Sequence, residues 1–166
     1  MFRIQERLSG MSTLTFFHWL AHTTLGVAMR DSTWGFAIVE IVHLLALAIF
    51  GGAVLLVDLR LLGRGFKTQP TAQVARELLP ITAGGVVVML ISGVLLVASG
   101  PMRYYYNPAF RIKMWLFLVA LFVHFLLQTV TARRDVQDAI WQKAGAVASL
   151  LLWLSIGLAG RAIGFV

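Results

Sequence analysis

The sequence predicts an all-α integral membrane protein, a four-helix bundle with an N-terminal amphipathic helix at the interface. Of its 166 residues, 59% are hydrophobic and only 13% are charged, which is far more apolar than a soluble domain of this length. Four apolar runs approach or reach the roughly 20 residues that cross a bilayer. Basic residues flank these runs, so the net charge of +7 indicates contact with lipid headgroups rather than nucleic acid.

The elements follow in order along the chain. Residues 12–29 are too polar for a span, and His18 and His22 lie one turn apart on them, so we expect a helix that lies at the membrane interface. Trp34 is a plausible interface anchor at the start of the first span. The whole chain, residues 1–166, is expected to form one membrane domain with four spans, at residues 34–57, 80–98, 112–131 and 144–165.

Orientation follows from the basic residues. The first and third loops hold seven of the fourteen Lys and Arg residues, and the opposite side holds the other seven. Counted over short loops, the first set favours the cytoplasmic side. We therefore expect both termini on the outer, periplasmic side of a bacterial inner membrane.

Five ionisable side chains fall inside or at the ends of the expected spans: Glu40, His43, Lys113, His124 and Arg161. Such groups are costly in lipid and mark functional sites by default. At about 1.5 Å per residue, His43 would lie roughly 13 Å and His124 roughly 18 Å below the same surface. Two imidazoles at similar depth on different helices suit the axial ligation of a haem iron.

Other residues fit the same hypothesis. Gly51 and Gly52 follow His43 and would leave room for a large flat ligand. Lys113 and Arg161 could each pair with a haem propionate at the membrane edge. Glu40 lies one turn above His43, where it could accept a hydrogen bond or move protons. The absence of cysteine excludes thiolate ligands, disulfides and cysteine nucleophiles.

Alternatives remain open at this point. His43 could be the sole ligand, with His22 or an open position opposite. Each intramembrane histidine could instead serve only as an interhelical hydrogen-bonding group. A non-redox permease or an accessory subunit could use Glu40, His43 and Arg161 as an ion-pair relay. A carboxylate-bridged di-iron site would need more inward acids than the single Glu40/His43 pair.

Two stretches also carry a resemblance. "IVEIVHLLALAIFGGAVLLVDLRLLG" and "NPAFRIKMWLFLVALFVHF" resemble a family of small bacterial inner-membrane proteins without an established function, from about residue 15 onward. More distantly, the chain is similar to CopD-type and HemJ-type membrane proteins. The matching positions are His43, Gly51, Gly52 and Arg60 in the first span and Lys113 in the third. HemJ-type proteins are haem-associated porphyrinogen oxidases and CopD-type proteins are linked to copper, so the resemblance implies a haem-bearing bundle.

The expected function is that of a b-type haem protein that exchanges electrons with a quinol or another membrane redox partner. His43 and His124 are the expected metal ligands and haem b is the expected cofactor. The lipid bilayer, a quinone, and a redox partner protein or further copies of the chain are the expected partners, with no nucleic acid. A HemJ-like porphyrinogen oxidase is the third alternative.

Overall fold

The computed structural model describes residues 13–64, 68–133 and 140–165, and every regular element in those ranges is a helix. The all-α prediction is therefore confirmed. The helices are α1 (residues 13–22), α2 (Thr24–Asp31), α3 (Gly35–Leu61), α4 (Thr71–Ser99), α5 (Pro101–Tyr106), α6 (Pro108–Arg133) and α7 (Ile140–Ala162).

Four of these helices, α3, α4, α6 and α7, are long and apolar enough to cross a membrane. The shortest, α7, has 23 residues and measures roughly 35 Å, against a hydrocarbon core of roughly 30 Å. The protein is thus built as a multi-pass membrane protein. Large hydrophobic side chains remain exposed along all four helices, as expected where lipid replaces the core as their surroundings.

The four long helices form an up-and-down bundle. Helix α3 packs against α4 and α7, and α6 packs against the same two helices. Consequently α3 and α6 face each other across the bundle axis. We call the end where α3 and α6 begin the upper end, and the end where α4 and α7 begin the lower end.

The centre of the bundle is packed around Phe50, which is completely buried. Its ring meets Trp153 edge-on at 4.8 Å between centroids. Gly85 of α4 lies directly against it, since a Cβ added to Gly85 would be 2.8 Å from the Phe50 Cβ. A small residue here lets α3 and α4 approach closely, which is the usual way for helices to associate in membranes.

The spans exceed the predicted ones, and the differences have physical reasons. Helix α3 continues to Leu61, so Asp58 lies in a helix and not in the predicted loop. Helix α4 begins at Thr71, directly after Pro70, and keeps Pro80 in its interior. Neighbouring helices can satisfy the backbone groups that a proline frees inside a membrane helix. Helix α6 begins at Pro108, one turn earlier than predicted.

Two helices replace the single amphipathic helix predicted for residues 12–29, of which residue 12 lies outside the described residues. The chain breaks at Thr23, whose hydroxyl donates to the Leu20 carbonyl at 2.8 Å and accepts from the Gly26 amide at 3.1 Å. Threonine is a favoured N-cap because it satisfies one of the free amides of the first turn. Gly26 then lies close to the Ala98 carbonyl, which places α2 against the upper end of α4.

Candidate functional site

The strongest candidate site surrounds His43 in the upper half of the bundle. His43 is half-buried on the inward face of α3. Its Nδ1 lies 2.8 Å from the hydroxyl oxygen of Ser92 on α4. Gly93 follows Ser92, and a Cβ added there would lie 3.5 Å from the His43 Cε1. The imidazole is therefore held between two neighbouring helices.

The hydrogen bonds around Ser92 favour one of the two neutral tautomers of His43. A serine hydroxyl has one proton to donate, and that of Ser92 points to the Val88 carbonyl at 2.6 Å. When that proton is on the Val88 carbonyl, the Ser92 oxygen accepts from His43, and Nδ1 is then the protonated nitrogen. In the neutral imidazole, Nε2 keeps its lone pair. This is the tautomer in which histidine ligates a metal through Nε2.

Lys113 of α6 completes this site from the opposite side of the bundle. It is partly buried and lies close enough to His43 for its charge to act on the imidazole. Gly160 of α7 leaves space for it, since a Cβ added there would be 3.4 Å from the Lys113 Nζ. Among the described residues, no hydrogen bond or salt bridge is found for the Lys113 amine. The site thus combines a positive charge with an imidazole, which suits an anionic ligand.

Glu40 and Tyr104 lie above His43 at the upper end. Glu40 is exposed one turn along α3 from His43, and its charge reaches the Tyr104 hydroxyl on α5. Burial is the main cause that raises the pKa of the Tyr104 hydroxyl. The charge of Arg103 lowers this pKa, and the Glu40 carboxylate raises it. Helix α5, which the sequence did not predict, therefore brings a protonated phenol next to Glu40.

His124 does not share this site. Its ring is completely buried and meets Phe50 at 6.3 Å and Phe125 at 5.6 Å between centroids. Phe50 lies seven residues beyond His43 on α3, or about 10 Å of helix rise. The structure thus places the two imidazoles about two turns apart in depth, whereas the sequence suggested a common level. The Gln128 side chain, one turn further along α6, is the polar group that acts on the His124 ring.

No group of three or more His, Asp or Glu side chains that could hold a metal ion is found within residues 13–64, 68–133 and 140–165. A cofactor that brings its own metal ligands, such as a tetrapyrrole, needs only one or two axial ligands from the protein. His43 fits that smaller requirement as a single ligand, and the Lys113 charge fits the carboxylates of such a ring.

A comparison with protein families identifies the chain's relatives. Residues 16–166 match the model of DUF6644, a family of unknown function. The chain belongs to the DUF6644 family. The chain matched none of the curated proteins and none of the solved structures with which it was compared. The resemblance to CopD-type and HemJ-type proteins therefore stays an expectation.

The remaining predicted residues of this DUF6644 member have other surroundings. Arg161 is exposed, and its guanidinium sits 4.9 Å above the Phe165 ring. A Cβ added to Gly51 or Gly52 would meet nothing within 4 Å, so neither glycine serves a close helix contact. His22 is exposed on α1, as is His18.

Arg60 has a structural role in this fold. Its guanidinium donates to the Gln69 carbonyl, at 2.6 Å from one terminal nitrogen and 3.1 Å from Nε. These bonds tie the end of α3 to the segment that enters α4. The resemblance singled out Arg60, and the structure gives it this contact at the lower end.

A buried polar network below His124 was not predicted. Gln128 is completely buried, accepts from the Thr82 hydroxyl at 3.0 Å and donates to the Ala75 carbonyl at 3.1 Å. It therefore joins α6 to α4 at two points. The sequence does show Gln128 one turn after His124 on the same face of α6. An uncharged amide in an apolar run is, however, a weaker signal of a buried network than a charged residue.

Proposed function

We propose that this protein binds a b-type haem at the His43 site and exchanges electrons with a quinol or another membrane redox partner. The observation that supports this most directly is the hydrogen bond from His43 Nδ1 to Ser92, 2.8 Å long. With Nδ1 as the donor, Nε2 keeps its lone pair, and the bond orients the ring. A hydrogen bond to the other ring nitrogen is the usual support for a histidine that ligates a metal.

Lys113 has a separate role in this proposal. Its charge acts on the His43 ring and has no acidic partner among the described residues. A cation at this depth is favoured when an anionic group sits beside it. We assign Lys113 to a propionate and His43 Nε2 to the iron. Haem would supply a one-electron centre, while these residues hold and orient it.

His124 is the residue on which this proposal departs from a bis-histidine site. Its ring lies level with Phe50, about two turns below His43. A depth difference of that size does not suit ligation of one iron by both rings. We therefore propose His43 as the protein's axial ligand, and the bis-histidine arrangement remains the alternative that the experiment separates.

The test is a reduced-minus-oxidised absorption spectrum of the protein purified from membranes after haem supplementation. Haem bands are expected in the wild type and in His22→Ala, an exposed control histidine. His43→Ala should lose them, His124→Ala should retain them, and Lys113→Gln should bind haem more weakly. A wild type without haem bands would refute haem binding. Bands that survive in His43→Ala would refute the ligand, and loss in both His43→Ala and His124→Ala would establish the bis-histidine alternative.

A further inference from the structure

A pair of histidines lies on α1, outside the four spanning helices. His18 and His22 are both exposed and stand four residues apart on this helix. Side chains at that spacing are neighbours on one helix face, with about 5–6 Å between their Cβ atoms. It is the spacing at which two imidazoles of one helix bind the same zinc ion in metalloproteases. The pair therefore has the local geometry of a metal-binding site.

The packing of α1 leaves both histidines outside its contact with the bundle. Leu20 is buried, and the ring of Phe17 lies 5.4 Å from that of Tyr105 on α5, between centroids. Phe17 and Leu20 thus mark the inward face of α1. Successive residues of a helix turn by about 100°, which puts His18 and His22 about 100° and 140° from Phe17. Both imidazoles therefore lie on one flank of the helix.

The other flank of α1 is aromatic. Phe16 and Trp19 are both exposed, and their rings lie 5.9 Å apart between centroids. Large aromatic side chains at the surface of a membrane protein anchor a helix at the boundary of lipid and water. The histidines lie on the other side of the inward face from this aromatic pair. They are accessible to ions, and the aromatic pair holds the helix beside them.

The end of α1 next to His22 is well defined. His22 is the last residue of the helix, and the Thr23 hydroxyl donates to the Leu20 carbonyl at 2.8 Å. The guanidinium of Arg30 donates to the Ala21 carbonyl. Its charge offsets the partial negative charge of the helix end, which would otherwise attract cations. The two imidazoles themselves must therefore supply the affinity for a metal.

The chemistry of the pair selects the kind of metal. Imidazole nitrogens suit Zn²⁺, Cu²⁺ and Ni²⁺, whereas Mg²⁺ and Ca²⁺ prefer oxygen ligands. In the part of the chain that the structure describes, no third His, Asp or Glu joins the pair in a metal-binding group. A structural zinc site takes four protein ligands. Two protein ligands leave the other positions to water, which makes the ion exchangeable.

We propose that His18 and His22 together bind one divalent transition-metal ion at the upper end of the bundle. Each imidazole donates the lone pair of one ring nitrogen, and water completes the coordination. The site does not rest on the proposed haem, because neither residue is assigned to the iron or to a propionate. Its ligands come from a single helix, so binding requires no movement of the spanning helices.

Calorimetric titration of Zn²⁺ into the purified full-length protein, prepared without a polyhistidine tag, tests the site. Binding of one Zn²⁺ per chain is expected, displaced by Cu²⁺ and not by excess Mg²⁺. Loss of a group that merely supports a ligand costs about 10–100-fold in metal affinity. His18→Ala and His22→Ala should therefore each raise the Kd at least about tenfold. Trp19→Leu, on the aromatic flank, should leave it unchanged.

A variant that exchanges two side chains tests the spacing itself. Phe16→His combined with His18→Phe keeps the composition of α1 and its number of histidines. The two imidazoles would then stand six residues apart, or about 9 Å along the axis and about 120° around it. They could not share an ion, so the Kd should rise as far as it does in His18→Ala.

Three outcomes would overturn the proposal. The first is no saturable Zn²⁺ binding by the wild type. The second is a Kd that stays within twofold of the wild type in His18→Ala or in His22→Ala. The third is wild-type affinity in the exchanged variant, since the histidines would then bind independently. All the changed side chains except Phe17, which is kept, are exposed or replaced on the surface of α1, and the presence or absence of haem bands leaves each result unaffected.

Discussion

The contact between Gly85 and Phe50 makes a strong prediction about how the bundle is held together. A methyl group added at Gly85 would lie 2.8 Å from the Phe50 Cβ and 3.3 Å from its Cα. Unstrained carbon atoms approach to about 3.5–4.0 Å, so the shortest contact falls short by at least about 0.7 Å. Both Phe50 atoms are at or next to the backbone, so rotation of the side chain cannot relieve the overlap. Helices α3 and α4 must move apart.

Gly84 provides a matched control for this change. It is the preceding residue of the same helix, and a Cβ added there would meet nothing within 4 Å. Both substitutions to alanine bring the same helix-propensity gain, up to about 1 kcal/mol in water, which cancels in their difference. Overpacking typically costs about 1–3 kcal/mol. We therefore expect Gly85→Ala to be less stable than Gly84→Ala by about 1–3 kcal/mol.

The free energy of unfolding can be measured by titrating the detergent-solubilised protein with sodium dodecyl sulfate and following the loss of tertiary tryptophan fluorescence. Trp153 reports directly, because its ring packs on Phe50 at 4.8 Å. If Gly84→Ala and Gly85→Ala agree within about 0.5 kcal/mol, the usual error of additivity, the close approach of α3 and α4 at Gly85 is refuted.

Two further predictions concern polar groups. Gln128→Leu removes two interhelical hydrogen bonds and should lower the free energy of unfolding by about 1–3 kcal/mol in the same assay, at about 0.6–1.7 kcal/mol for each bond. The Tyr104 hydroxyl should titrate above the ordinary tyrosine range, because burial and the Glu40 carboxylate both raise its pKa. Glu40→Gln removes one of these causes and should lower that pKa, as measured by ultraviolet absorbance of the phenolate.

Each of these predictions has its own control. Gln73→Leu is matched to Gln128→Leu, because among the described residues the Gln73 amide bonds to Glu77 on its own helix and to no other helix, and it should have little effect on unfolding. Tyr104→Phe identifies the phenol, since it should remove the late step of the titration. A titration that Glu40→Gln leaves unchanged would mean that Glu40 does not lie beside Tyr104.

The four spans could be predicted because their central residues are almost uniformly apolar, whereas their ends could not. The first two turns of α4, from Thr71 to Leu79, are as polar as a loop and yet are helical. Their buried members Val74 and Ala75 pack inside the protein. Polarity along a single chain does not reveal that contact, so the predicted span began at Pro80.

The depth of His124 shows how a wrongly predicted helix start changes the predicted site. With span starts at Trp34 and Ile112, His43 and His124 would be nine and twelve residues deep. Helices α3 and α6 in fact begin at Gly35 and Pro108, which makes the depths eight and sixteen residues. A difference of eight residues is about 12 Å, enough to separate the two rings. The pairing of His43 with Ser92 was equally hidden, because serine is common in membrane helices.

Asp58 makes the same point for burial. An acid at the end of an apolar run is ordinarily a flanking residue that reaches water, and the predicted loop at 58 followed from that rule. In the structure α7 begins at Ile140 and α4 at Thr71, so both neighbours of α3 extend further toward the lower end than their apolar runs. There Asp58 is completely buried. The exposure of a terminal charge therefore depends on the lengths of the neighbouring helices, and that is why an acid that resembles a solvated flank can be completely buried.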